Sequence, residues 1–266
     1  MTIIRLENVS KTYRQGGLWG KKREVRAVDG ISLNIAPGQC LAVVGPSGSG
    51  KSTLGRLALG LERPDSGTVL YKGKALTSLR GEEKRAARRN VQVVFQNSQG
   101  AVNPRFTAKD IIGEPLTNFE QLRGRKLSER VAGLLEKVGL SESDMEKLPH
   151  QFSGGELQRI CLARALAPEP ELVVLDEAVS SLDMLNQARV LELIAGIKKD
   201  TGTAFLFISH DLRVVCEVAD SLAVIDRGKL AGYADDMDAF ADTPAGCGAA
   251  FTELVGSVLP SEPAGG

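Results

Sequence analysis

The stretch that most constrains this chain is Gly45-Pro46-Ser47-Gly48-Ser49-Gly50-Lys51-Ser52-Thr53, because of what lies on either side of it. The apolar run Cys40-Leu41-Ala42-Val43-Val44 precedes it, and the helix-like Leu54-Gly55-Arg56-Leu57-Ala58-Leu59 follows. A buried strand, a glycine-rich turn and a helix start, in that order, are the context in which this pattern means a phosphate-binding loop. The glycines let backbone N–H groups turn inward, and the helix start adds partial positive charge. Lys51 is then placed to reach outer phosphates and Ser52 to hold a magnesium ion. Glycine-rich turns also serve as simple bends, but the lysine, the hydroxyl residue and both flanks coincide here, which predicts a nucleoside triphosphate site.

The remaining chain says what surrounds that site. Ile3 to Val9 and Ile31 to Ile35 alternate apolar with polar residues, the two-residue period of half-buried strands. Gly16 to Arg23 is glycine-rich and basic, so it reads as an exposed loop. Tyr13 stands just before that loop, and two readings stay open for it: a ring stacked on a purine, or a strand-end tyrosine with a wet hydroxyl. Val69 to Ala75 reads as a hairpin turning at Lys72-Gly73. Gly81 to Arg89 reads as a charged helix whose arginines form a solvated face, and Val91 to Phe95 as a strand ending at Gln96. From Ile111 to Lys147 the period becomes helical, with Val131, Leu134, Leu135 and Val138 at three- and four-residue steps, which predicts a helical insertion.

Ser153 and Glu156 have the spacing of a capping box opening a helix through Leu157, Ile160 and Ala165. Gly154 and Gly155 are unexpected in that first turn, where each costs up to about 1 kcal/mol against alanine. Bare backbone at a helix start suits a second anion site, and one small chain has no evident use for two. Glu171 to Glu177 reads as a buried strand ending in two carboxylates. Asp176 is placed to hold magnesium and Glu177 to polarise an attacking water. Ser180-Ser181-Leu182-Asp183 makes a polar turn, and Ala204 to Ser209 another buried strand, with His210 at its end. His210 reads either as a structural hydrogen-bonder or as a group reaching a terminal phosphate. A hairpin over Leu222 to Leu230 and a loose end beyond Asp235 complete the chain.

Composition narrows the partners. Lys plus Arg equals Asp plus Glu at 33 each, so no global basic field argues for nucleic acid. Cys40, Cys161, Cys216 and Cys247 form no C-x-x-C pair, the pattern of a reduced cytosolic protein. No apolar run approaches bilayer-spanning length and the N-terminus lacks a secretory core, so any membrane work falls to other chains.

Lys51 in its loop, Gln96, Phe152-Ser153-Gly154-Gly155-Glu156, Asp176-Glu177, Ser181-Leu182-Asp183 and His210 occur in one order, and that ordered set resembles the ATP-binding cassette ATPases of ABC transporters. The resemblance covers residues 2 to 233. It implies an α/β P-loop NTPase (RecA-like) core with an antiparallel β subdomain, a helical subdomain over about 98–165, and a short extension over 234–266. It further implies ATP and Mg²⁺ as ligands, with Tyr13 on adenine, Gly45 to Thr53 on the phosphates, and Ser52, Gln96 and Asp176 at the metal. Glu177 would be the general base, aided by Gln96, with His210 at the γ-phosphate. Ser153, Gly154, Gly155, Glu156 and Asp183 would close over ATP held by an opposite subunit. The implied partners are a sister cassette or a second copy, two integral membrane permease subunits, and an external substrate-binding protein acting through them. The implied place is peripheral, on the cytoplasmic face of the inner membrane.

Ala101-Val102-Asn103-Pro104-Arg105 and the ending Ala250 to Pro260 resemble the peptide and nickel importer ATPases. Peptide-side members often carry a longer cysteine-bearing tail, where this chain has only Cys247. Glu177-Ala178-Val179-Ser180 is similar to the nickel side. A soluble cassette acting as a mechanical scaffold is the rival class. A GTPase is disfavoured because no N-K-x-D stretch occurs.

Overall fold

The structure is a computed structural model that describes residues 2–15 and 23–237. The basic loop expected from Gly16 lies outside the described residues up to position 22, as do Cys247, the Ala250 to Pro260 ending and the expected loose end from 238 onward. Along the chain come Ile4–Gln15 (β1), Arg23–Ile35 (β2), Cys40–Val44 (β3), Lys51–Ala58 (α1), Ser66–Tyr71 (β4) and Lys74–Ala75 (β5). They are followed by Gly81–Asn90 (α2), Val91–Phe95 (β6), Ala108–Glu120 (α3), Gly124–Lys137 (α4), Gly154–Leu166 (α5), Leu172–Asp176 (β7) and Met184–Thr201 (α6). Ala204–Ile208 (β8), Leu212–Cys216 (α7), Ser221–Asp226 (β9) and Lys229–Ala234 (β10) close the sequence of elements. The chain divides into two compact units, Met1–Leu79 with Leu206–Gly266, and Arg80–Phe205.

In the first unit, β2, β1, β4 and β5 form an antiparallel sheet in that order. Its pattern is the one the alternation predicts. Ile4 and Leu6 are buried with Arg5 exposed, and Ile31, Leu33 and Ile35 are buried with Ser32 and Asn34 outside or at the margin. β1 and β2 nevertheless run well past the apolar alternation, to Gln15 and from Arg23, so Tyr13 lies inside a strand and pairs with Val25. Register shifts between Leu6 and Thr12 keep the long ribbon paired, as bulges do where strands twist strongly. The Lys72-Gly73 turn has positive φ at both residues (47° and 81°), the type I′ geometry that matches strand twist. Arg227-Gly228 repeats it between β9 and β10 (45° and 79°). β3 is buried at every position and pairs in parallel with β9, as continuous apolar strands do when both faces are covered.

In the second unit, β6 and β7 pair in parallel, with Val91 opposite Leu172 and Phe95 opposite Asp176. α3, α4 and α5 pack on one another through the stripe that the sequence announces, since Val131, Leu134, Leu135 and Val138 are all buried. Full burial of such a side chain contributes about 1.5–3 kcal/mol, so this stripe holds the helices together. The arginines of α2 do more than face solvent. Arg85 donates to the Asn118 carbonyl and lies over the Phe119 ring, and Arg89 pairs with Glu120 at 2.8 Å, tying α2 to the end of α3. Cys161 is buried and its thiol is pushed up to about 11 by that burial, which leaves it unreactive.

Candidate nucleotide site

The phosphate loop is built where β3 ends and α1 begins. Gly50, at φ 108°, is the residue before α1, and that helix starts with no side-chain cap and no acid in its first turn. Its N–H groups therefore face the loop, as anion binding at a helix start requires. A Cβ on Gly45 would lie 2.0 Å from the Ile225 carbonyl oxygen, and one on Gly50 would lie 1.9 Å from that of Ala27. The loop is thus pressed against β9 and β2 with only hydrogen where side chains would stand. Gly228 N–H donates to the Ser49 carbonyl at 2.9 Å, bracing the same loop from the β9–β10 turn.

Lys51 is 4% exposed, and its ammonium donates to the carbonyls of Gly45 at 2.7 Å and Pro46 at 2.9 Å. A buried cation held on a glycine-rich loop at a helix start is a group that a polyphosphate can pair with. The buried Ser49 hydroxyl makes no hydrogen bond within the described residues, the kind of polar atom such a loop leaves for a polar ligand. The bare cradle and its donors fit a triphosphate. Tyr13, half-buried in β1, belongs to the same unit, and His210 is exposed in the turn between β8 and α7.

In the second unit the strand-end candidates come together. Gln96 directly follows β6, Asp176 is the last residue of β7, and their strands are in register at Phe95 and Asp176, so Gln96, Asp176 and Glu177 share one end of the pair. Gln96 Nε2 donates to Ser180 Oγ at 3.4 Å, and Ser180 Oγ donates to the Glu177 carbonyl at 2.9 Å. Ser180 was not among the sequence candidates, yet it connects two of them. Glu177 has φ 49°, a left-handed conformation that costs a side-chain-bearing residue roughly 1–2 kcal/mol. Such strain persists where a side chain must be aimed. Within this unit Gln96 and Asp176 both carry side-chain oxygens, the hard donor type that suits magnesium.

The Ser153 turn is the capping box that its spacing predicts. Ser153 N–H donates to Glu156 at 2.8 Å, and Glu156 N–H donates to Ser153 Oγ at 3.3 Å. Ser153 N–H and Ser153 Oγ both donate to the Glu156 carboxyl, and these two bonds hold it below its usual range. The two glycines separate in purpose. A Cβ on Gly155 would meet the Asn186 side chain at 2.7 Å, whereas one on Gly154 would meet nothing within 4 Å. Intrachain packing accounts for Gly155 and leaves Gly154 open. Asn186 is itself fixed by Asp183, which caps α6 by accepting from Asn186 N–H at 2.9 Å and Nδ2 at 2.6 Å. Ser153 to Glu156 and Asp183 therefore lie on neighbouring helix starts. Beside them Met184 and Leu185 are 87% and 63% exposed.

Residues 28–180 match the family model described as ABC transporter. The chain belongs to the ABC transporter family. The cassette is 45% identical over 228 residues to the nickel import ATP-binding protein NikE of Rhodospirillum rubrum, a match covering 86% of this chain and 82% of that protein. It is 43% identical over 230 residues to NikE of Escherichia coli K12, covering 86% of each. Among solved structures it resembles the dimeric ATP-binding cassette MJ0796 in a post-hydrolysis state bound to ADP and Pi, with TM-score 0.77, 27% identity, and 87% of this chain and 97% of that one covered. It also resembles cbiO1 of Clostridium perfringens, part of the ABC transporter complex cbiONQ, with TM-score 0.77, 25% identity and 91% of both chains covered. These neighbours carry the α/β P-loop cassette fold, and the family binds ATP. Among the described residues no helix is long and apolar enough to cross a membrane.

Proposed function

We propose that this cassette is the ATP-hydrolysing motor subunit of a nickel importer, working at the cytoplasmic face of the inner membrane against two permease subunits fed by an external binding protein. The observation that carries nickel as cargo is the 45% identity to a nickel import ATP-binding protein along 228 residues. In this reading residues 2–233 form the ATP-binding domain, 98–165 its helical subdomain and 234–266 an extension.

ATP binds with its phosphates on Gly45 to Thr53 and its adenine on Tyr13. Magnesium, when bound, neutralises charge on the outer phosphates, and Ser52, Gln96 and Asp176 would hold it. Glu177 accepts the proton of the attacking water, supported by its position at the strand end and by its strained backbone. Gln96 orients that water, and His210 donates toward the γ-phosphate. Ser153 to Glu156 and Asp183 face the ATP of a second cassette, either a sister subunit or another copy. Open space at Gly154 and the exposed Met184-Leu185 pair support such a face. ATP then stabilises the closed pair by its differential affinity for it, and hydrolysis releases the pair.

The cargo assignment is tested by expressing the cassette with its neighbouring permeases and binding protein in vesicles. ATP-dependent accumulation of radioactive nickel is expected, abolished by Lys51→Ala. Dipeptide uptake with no nickel uptake would reject nickel and leave a peptide importer. Failure to co-purify with any membrane subunit would favour a soluble scaffold.

A further inference from the structure

Tyr13 is not a free ring at a strand end. Its hydroxyl donates to Glu62 Oε2, and Arg56 Nη2 lies 3.3 Å from the same hydroxyl. Arg56 Nε donates to Glu62 Oε1 at 2.6 Å, and Arg56 Nη2 also donates to Thr53 Oγ1 at 3.1 Å. Thr53 and Arg56 both lie on α1, the helix that opens in the phosphate loop. Glu62 follows that helix, in a segment bonded back to it by Glu62 N–H donating to the Arg56 carbonyl at 3.3 Å. Next to it, Lys11 donates to the Arg63 carbonyl and Asp65, each at 2.9 Å, and Thr12 N–H donates to Asp65 at 2.7 Å, so β1 is pinned to this segment immediately before Tyr13.

The geometry points to Glu62 and Arg56 as positioning residues for the nucleotide base: they clamp the Tyr13 hydroxyl to α1, so that the ring meeting adenine and the loop meeting the phosphates move as one piece. This rests on the reading that Tyr13 stacks on adenine. A tyrosine held at its far end loses little rotamer freedom when a base stacks on it, because that freedom is already gone. Burial alone pushes the Glu62 carboxyl up, but the hydrogen bonds from Tyr13 and Arg56 together outweigh it and leave the carboxyl below its usual range. Glu62 is therefore an anion at neutral pH and a strong acceptor for the phenol. Nothing in the sequence pattern marks Glu62 for this task, since it lies beyond the helix and outside every nucleotide motif.

The test is equilibrium binding of two ligands to the full chain: ATP, which reports base and phosphates together, and inorganic tripolyphosphate, which reports the phosphate loop alone. Tyr13→Phe deletes one oxygen and keeps the ring. It is expected to raise the ATP Kd about 5-fold while the tripolyphosphate Kd stays within about 2-fold, on the scale of one lost hydrogen bond. Glu62→Ala is expected to do the same, and Glu62→Ala in the Tyr13→Phe background to add nothing further, because both remove one clamp. Wild-type ATP affinity in Tyr13→Phe, with a loss of 10-fold or more in Tyr13→Ala, would overturn the clamp and keep the stacking reading. Unchanged affinity in Tyr13→Ala would overturn the stacking reading and the clamp with it. Parallel weakening of ATP and tripolyphosphate would show that the network only braces α1, and would also overturn the inference.

Discussion

Glu177→Gln is expected to keep ATP binding and to lower steady-state turnover by about 10²-fold or more, the scale on which a lost general base is felt. Glutamine preserves the volume and the hydrogen-bonding reach of the side chain, so it leaves the turn held by Ser180 in place. It also accepts the left-handed backbone at φ 49° about as well as glutamate does. What it removes is basicity at the end of β7. Single-turnover and steady-state phosphate release read the effect. Turnover within a few-fold of wild type would take the proton acceptor away from Glu177, while a parallel fall in ATP affinity would mean that Glu177 binds nucleotide instead.

Gly50→Ala should be as damaging at the other end of the chemistry. The added Cβ would lie 1.9 Å from the Ala27 carbonyl oxygen, and φ 108° is a conformation that alanine avoids. Backbone on both sides must move, and the moving part is the turn that carries Lys51 and, in the proposed function, holds the phosphates. ATP affinity is expected to fall at least about 100-fold, or about 2.7 kcal/mol, with a lowered melting temperature. Gly154→Ala is the matched control. Its Cβ meets nothing within 4 Å, so its melting temperature should stay level or rise slightly, because alanine is the better helix former. If Gly50→Ala bound ATP normally, the pressed loop against β2 would have no functional consequence.

Much of this molecule was legible in the sequence because its signals are local. The strand, turn and helix around Gly45 to Thr53, the Ser153 capping box and the Lys72-Gly73 hairpin each depend on a few adjacent residues with fixed conformational preferences. The length of β1 and β2 was not legible, because past Val9 the strands lose alternation and are held by register shifts and by Lys11 and Asp65 from another segment. The two glycines after Ser153 looked alike in sequence. Only the position of Asn186, thirty-odd residues on, separates Gly155, which is packed, from Gly154, which is open. The Arg85 and Arg89 side chains read as solvated because their acceptors lie on α3, at a distance no helical period reveals. Tyr13 was recognisable as a candidate, but the Glu62 and Arg56 side chains that fix it belong to no motif.

In the proposed function each ATP is shared, held by one cassette's Lys51 loop and closed by the Ser153 turn of another. Light scattering on the Glu177→Gln cassette with its companion and Mg-ATP, beside the same protein carrying Ser153→Arg, tests that sharing. ATP should double the mass of the first and leave the second as single chains, although each single chain binds ATP with nearly unchanged affinity. ATP-driven pairing that survives Ser153→Arg undiminished would contradict the shared site.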